Sequence, residues 1–319
     1  MAAADINILS IARAFDELSS PIERLLKHPK DKADGDEQAS TRFVLDNDFF
    51  YHVQTHVKTG AEFPDDKRLF EKVYSPDYFK SWLQEDVEYR KMWQGVTAVS
   101  QHCRFFLHEG IYRIINLAHY INSFSSDVVD LLEVLAEMLR IISDRSVPFS
   151  SGEATDARLN IKEILQVLQD SSLETSKRTA SVLKETERFA VTTSEDQVVL
   201  DALNELLKNL VPKDVDTDNW EKWKGLQSIQ KITALAPSHK AVQVHIDAMR
   251  KALTEVHDAL TSMDTTTSRM IKAVSLMGDQ ARPERADYGV AGAKLGKAVA
   301  TCKQVAQLAQ GFAKQAAQS

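Results

Sequence analysis

The chain has 319 residues, 43% hydrophobic and 27% charged, with only 11 Gly and 8 Pro, so it can bury a sizeable core and is built of long elements with few turns. Its formal net charge of −7 argues against general nucleic-acid binding, which needs a basic surface to displace counterions. The two cysteines, Cys103 and Cys302, are too few for a disulfide framework and read as buried free thiols, with their pairing left open.

Met1 to Ser20 carries Asp5, Asp16 and Glu17 and has neither a basic n-region nor an adequate apolar h-region, so no secretory signal is expected. No run of about 18 uncharged apolar residues occurs, so no transmembrane helix is expected either. The expectation is a cytoplasmic protein, or one released without a classical signal peptide.

Residues 5–19 read as a short amphipathic helix, with Ile8, Ile11, Ala12, Phe15 and Leu18 on one face. Ser20-Pro21-Ile22-Glu23 offers a capping serine, proline at N1 and glutamate at N3, which restarts a helix toward Lys27. Residues 28–40, with Asp34-Gly35-Asp36-Glu37, read as a solvated linker. A helix over 42–58 carries Phe43, Leu45, Phe49, Phe50, Val53 and Val57 and breaks between Gly60 and Pro64. Ser75-Pro76-Asp77 is a further start signal. The 71 residues between Pro76 and Pro148 would reach about 105 Å as one helix. Their apolar residues recur at spacings of three and four, from Phe79 through Ile111 to Ile142, which is helical periodicity. Within this segment, Asn122-Ser123-Phe124-Ser125-Ser126 is rich in side chains that compete for backbone hydrogen bonds and reads as a kink or a tight hairpin.

A loop over 146–153 precedes a helix over 154–192, and Ser194-Glu195-Asp196-Gln197 reads as a capping box opening another helix that ends before Pro212. Asp214 to Asn219 reads as an acidic loop, with Asp218 as the cap of a helix over 219–235. Ala236-Pro237-Ser238 restarts a helix to about Met277, stopped by Gly278, and the last helix covers about 286–317. No segment makes a convincing strand, and no fixed-period repeat suggests a solenoid. The fold class is all-α, an elongated bundle of long antiparallel amphipathic helices. Short helices and a charged linker occupy 1–74, and the long-helix bundle occupies 75–319.

The candidate chemistries fall away one by one. His52 and His56 share a helix face at zinc-ligand spacing, but Val53 stands where a zinc protease has its glutamate, and no third ligand follows. His102, Cys103, His108 and Glu109 cluster without an orienting partner, and read as core and edge residues of one helix. Asp214-Val215-Asp216-Thr217-Asp218 begins like a calcium loop, but Asn219 replaces the required glycine and Gly225 the bidentate glutamate. No phosphate loop, dinucleotide fingerprint or nucleophile elbow occurs. No enzyme, no cofactor and no metal are expected.

Two features stand out. Ile114 to Ser126 is a run of thirteen residues without a formal charge, in which Ile114, Ile115, Leu117, Tyr120, Ile121 and Phe124 are candidate membrane or partner contacts. It is too short to span a bilayer and suits either a hairpin tip or a buried core segment. After Asp287 the chain has no acid, and Lys294, Lys297, Lys303 and Lys314 are its only charges. Gly292 and Gly296 form a small-xxx-small pattern beside an apolar stripe of Leu295, Val299, Cys302, Val305, Leu308 and Phe312. A basic amphipathic helix of this kind lies on anionic membranes or packs by its smooth face. Gly292, Gly296, Lys294, Lys297 and Lys303 complete the candidate contacts.

This layout, carried by Pro76–Ile142 and the antiparallel helices after it, resembles α-helical pore-forming toxins of the cytolysin A and xenorhabdolysin type over about residues 76–280. The resemblance implies a long-helix bundle that exposes an apolar element to enter membranes and oligomerise. The uncharged patch is shorter and less apolar than a typical insertion tongue, which implies one component of a multi-part system. The expected partners are a lipid membrane, a second protein component, or further copies of the chain in a homo- or hetero-oligomer. The alternative is a cytosolic helical scaffold that binds partner proteins.

Overall fold

The structure, a computed structural model, describes residues 11–28, 41–80, 83, 86–148, 151–210, 219–276 and 285–319. In chain order these form α1 (Ile11–Asp16), α2 (Ser19–Glu23), strands β1 (Leu26–Lys27) and β2 (Arg42–Phe43), α3 (Asp48–Ala61) and α4 (Lys67–Val73). A 3-10 turn (Pro76–Tyr78), α5 (Asp86–Phe106), a π-helical turn (Leu107–Ile111) and α6 (Tyr112–Ser143) follow. The remainder is α7 (Gly152–Leu210), α8 (Trp220–Thr233), α9 (Leu235–Leu276) and α10 (Arg285–Gln318). The fold is all-α, as the three-and-four spacing of apolar residues demands. The linker from 29 to 40, the acidic loop from Asp214 to Asp218, residues 5–10 and the stop at Gly278 lie outside the described residues, and α8 is capped by Asn219, which accepts from the Glu221 and Lys222 N–H, rather than by Asp218.

The chain packs as two compact units. Unit 1 is Met1–Asp46, Ile115–Ser181 and Ala252–Ser319, and unit 2 is Asn47–Ile114 and Val182–Lys251. Each of α6, α7 and α9 contributes residues to both. In unit 1, α1, α2 and β2 pack on α10. Phe15, Leu18 and Ile22 are buried there, and the Phe43 ring meets Phe312 at 6.0 Å between centroids. In unit 2, α3 and α4 pack on α5, burying Phe50, Val53, Val57, Phe70, Met92 and Val96.

Four local expectations are corrected. First, a pair of two-residue strands exists, with Leu26 opposite Phe43, and helix α3 starts at Asp48 rather than at residue 42. Asn47 sets that start: its backbone is extended and its side chain accepts from the Phe50 N–H. Second, Ser75 does cap a turn, accepting from the Asp77 N–H, but only a 3-10 turn follows, and the long helix begins at Asp86. Third, the break within the long apolar segment falls at 107–111 and not at 122–126. The widened turn accommodates the Phe106 ring against Gly110, where any Cβ would overlap that ring. The suspected hairpin residues are helical, and the Ser126 hydroxyl donates back to the Asn122 carbonyl at 3.1 Å instead of opening a turn. Fourth, Ser194 opens no new helix. Its hydroxyl donates to the Ala190 carbonyl at 3.0 Å, and α7 runs unbroken through it.

The buried seam of α7 has an unusual composition. Leu165, Leu200 and Leu207 are buried at heptad spacing, but between them the same positions hold Ser172, Thr179, Thr186 and Thr193, all fully buried. Their hydroxyls donate to carbonyls of their own helix, those of Gln169, Thr175, Val182 and Phe189 respectively. No buried donor is orphaned there, so the seam avoids the penalty of an unsatisfied polar group.

Candidate functional site

The charge-free run from Ile114 to Ser126 lies on α6. Helical geometry sorts it into two faces. Ile114, Ile115, Leu117, Ile121 and Phe124 are buried, along with Ala118 and Ser125. Tyr120 points outward, 47% exposed, with the Arg178 guanidinium 4.1 Å from its ring centroid. Of the six aromatic and aliphatic candidates, five are therefore stored in the core and one is displayed. Burying that many large side chains contributes roughly 1.5–3 kcal/mol each relative to exposure.

Helix α10 presents a strict heptad seam of mostly small residues. Ala291, Leu295, Ala298, Cys302, Val305, Ala309, Phe312 and Ala316 alternate at spacings of four and three, and all are buried. Val299 and Leu308, read from sequence as part of the stripe, are half-buried flanks of it. The glycines are not demanded by packing. A Cβ at Gly292 would make ordinary contact with the Ala136 carbonyl and Leu139 at 3.7 Å, and one at Gly296 would meet nothing. Their effect is to lower the helix propensity of α10, by about 1 kcal/mol each relative to alanine.

The three candidate lysines are all paired, which the sequence did not reveal. Lys294 meets Asp16 on α1 at 3.3 Å, Lys297 meets Glu23 on α2 at 2.7 Å, and Lys303 meets Glu133 on α6 at 2.9 Å. The Glu23 carboxylate raises the Lys297 ammonium above its ordinary pKa by hydrogen bonding to it. All six side chains are substantially exposed, so solvent screens these pairs and they hold α10 weakly. The acids that complete them stand more than a hundred residues away in sequence, and no local pattern links them to α10.

The remaining polar clusters acquire partners from other helices. His102 Nδ1 donates to the buried Asp196 carboxylate at 2.8 Å, which raises the imidazole above its ordinary pKa. This is the orienting partner that the sequence lacked, while Cys103 beside it is buried and pushed up to about 12 by desolvation, which disfavours its thiolate. His52 stacks on His245 at 4.5 Å between centroids, and His56 meets His239. Among the described residues no group of three or more His, Cys, Asp or Glu is placed to hold a metal ion. Cys302 is likewise buried and raised to about 12, and both thiols are free. Among the described residues no helix is long and apolar enough to cross a membrane.

The chain resembles toxin components of known structure. It is similar to the Bacillus cereus HblL1 toxin component, at 9% identity and a TM-score of 0.45, over 96% of each chain. It is similar to soluble SmhB of the tripartite α-pore-forming toxin Smh from Serratia marcescens, at 11% identity and a TM-score of 0.40, over 97% of this chain and 98% of that one. A further likeness is to the pre-pore AhlB of the tripartite α-pore-forming toxin AHL from Aeromonas hydrophila, at 7% identity and a TM-score of 0.32, over 98% of both chains. No family model matches the sequence, and no curated protein matches it.

Proposed function

We propose that this protein is a non-enzymatic helical-bundle component of a pore-forming assembly, which engages membranes and oligomerises through α6 and α10. One observation carries the reading: the longest charge-free run in the sequence is also stored, with Ile114, Ile115, Leu117, Ile121 and Phe124 buried. An apolar surface suited to a bilayer interface is thereby kept from water until the bundle rearranges. The weak ionic hold on α10 supports this. Its lysines are held by screened ion pairs, and Gly292 and Gly296 soften it without a packing need. Once released, the part of α10 after Asp287 offers an acid-free basic face to anionic lipid.

Vesicles of phosphatidylserine and phosphatidylcholine test the proposal by flotation and dye release. The protein alone, or with candidate partner proteins, floats with the vesicles and releases dye. Joint replacement of Lys294, Lys297 and Lys303 by Glu reduces flotation. Absence of both binding and leakage, with and without partners, counts decisively against the reading.

A second reading, a scaffold for partner helices, is favoured by apolar residues displayed along α7. Leu159, Val167, Val191 and Val198 are 57%, 53%, 61% and 71% exposed. Pull-down without a partner, together with a compact monomer in solution scattering, removes it.

A further inference from the structure

Within unit 2, a line of hydrogen bonds runs through two buried imidazoles and joins three helices. Ser238 Oγ lies 3.1 Å from His56 Nδ1, His56 Nε2 lies 3.0 Å from His239 Nδ1, and His239 Nε2 lies 3.1 Å from the Thr193 carbonyl oxygen. His56 is on α3, Ser238 and His239 are in the first turns of α9, and Thr193 is on α7. His239 is fully buried and His56 nearly so.

The direction of the line follows from its end. A carbonyl oxygen only accepts, so His239 Nε2 carries the proton and His239 Nδ1 is bare. His56 Nε2 must then donate to His239 Nδ1, which leaves His56 Nδ1 bare to accept from the Ser238 hydroxyl. Both imidazoles are thus fixed as neutral Nε2–H tautomers. One extra proton on His56 Nδ1 is tolerated if the Ser238 hydroxyl turns to accept it, at the expense of a buried charge. That first extra proton can sit on either side of the 3.0 Å His56 Nε2–His239 Nδ1 contact, so it is a second extra proton on the pair that sets two N–H groups against each other.

We propose that the Ser238–His56–His239–Thr193 line is an acid-released latch, which clips α3 to α7 and α9 at neutral pH and frees α3 as the two imidazoles take up protons. The surrounding charges set its range. His56 is pushed down from 6.5 to about 4 by burial and by His239. His239 is lowered by burial and by His102 on α5, against the opposing pull of Asp196 and the Thr193 carbonyl on α7. His245 on α9 is lowered by burial and by His52 on α3, so a further histidine on α9 resists protonation in the same sense. His102 is raised by Asp196 and Glu195 and lowered by Arg188, and favours the acid form.

The sign of the effect is set by linkage. The opened state takes up protons near pH 6.5, whereas the latched state holds them off until lower pH, so the latch weakens as pH falls through that window. For His56 alone, the lowering from 6.5 to about 4 changes the opening equilibrium about twentyfold between pH 7 and pH 5.

Hydrogen–deuterium exchange of the full chain tests this, with rates corrected for the intrinsic effect of pH. Peptides covering 48–61 lose protection about twentyfold from pH 7 to pH 5, while peptides covering α10 change far less. The double variant His56→Gln with His239→Gln keeps one donor and one acceptor at each site but has no proton to gain, and its α3 protection stays flat with pH. A change in wild-type α3 below about threefold, or an equal response in the double variant, overturns the proposal. Should that variant fail to fold by circular dichroism, nitrogen NMR of wild-type histidines decides. Nε2–H tautomers at both His56 and His239 support the latch, and an Nδ1–H tautomer at either one overturns it.

Discussion

Phe106 and Phe189 stack face to face, with ring centroids 3.9 Å apart and planes 1° from parallel. Gly110 completes the arrangement, since a side chain there would run into the Phe106 ring. Gly110→Ala is therefore expected to destabilise the protein by about 1–3 kcal/mol through overpacking. Gly296→Ala, at a helical position facing open space, is expected to stabilise it by about 0.5–1 kcal/mol. Thermal unfolding followed by circular dichroism compares them. Shifts of the same sign would show that the widened turn has no steric cause.

The two faces of the charge-free run differ in energy. Ile121 is fully buried and Tyr120 is not. Ile121→Ala is expected to cost about 2–5 kcal/mol, and Tyr120→Ala about 0.5–1 kcal/mol, chiefly from the lost Arg178 contact. Urea midpoints at constant slope measure both. Equal losses would mean that this helix is not oriented as described.

Both thiols sit where ionisation is suppressed, each raised to about 12 by burial. The folded protein is expected to react with no equivalent of a disulfide thiol reagent within minutes at pH 8, and with both of its cysteines after unfolding. Rapid native labelling of Cys302 would place the α10 seam in solvent.

Asp196→Asn replaces the carboxylate that raises His102 with a neutral amide. A histidine with a raised folded pKa contributes stability that is present below 6.5 and is lost as pH rises through the folded value. The substitution should therefore cost more at pH 6 than at pH 9, and should move the His102 proton resonance to titrate at lower pH. An unchanged titration would separate the two residues in solution.

Helices were legible wherever the apolar period ran long, as along α5, α6 and α10, because a 3.6-residue repeat has one explanation. What failed was punctuation. Ser194-Glu195-Asp196-Gln197 matches a capping box letter for letter, yet the same residues suit a helix interior when the serine bonds back to Ala190 and the aspartate is needed by His102. Asn47 outweighed the apolar pattern that began at residue 42. The π-helical turn left a single trace, Gly110 four residues after Phe106, which means nothing until the Phe189 ring arrives from another helix. The same limit governed the site. Sequence placed the charge-free run and the lysines, but Asp16, Glu23 and Glu133 come from remote segments, as do His239 and His245. Only tertiary structure brings such partners together.

The hydroxyl-bearing stretch of α7 has one more implication. Ser172, Thr179, Thr186 and Thr193 each turn their hydrogen to a carbonyl of their own rod, so none of these hydroxyls depends on any neighbour. A seam of leucines would resist being uncovered by the full transfer energy of each side chain. This one travels with its polar needs already met, and a different helix, or water, can take the neighbour's place without stranding a single donor.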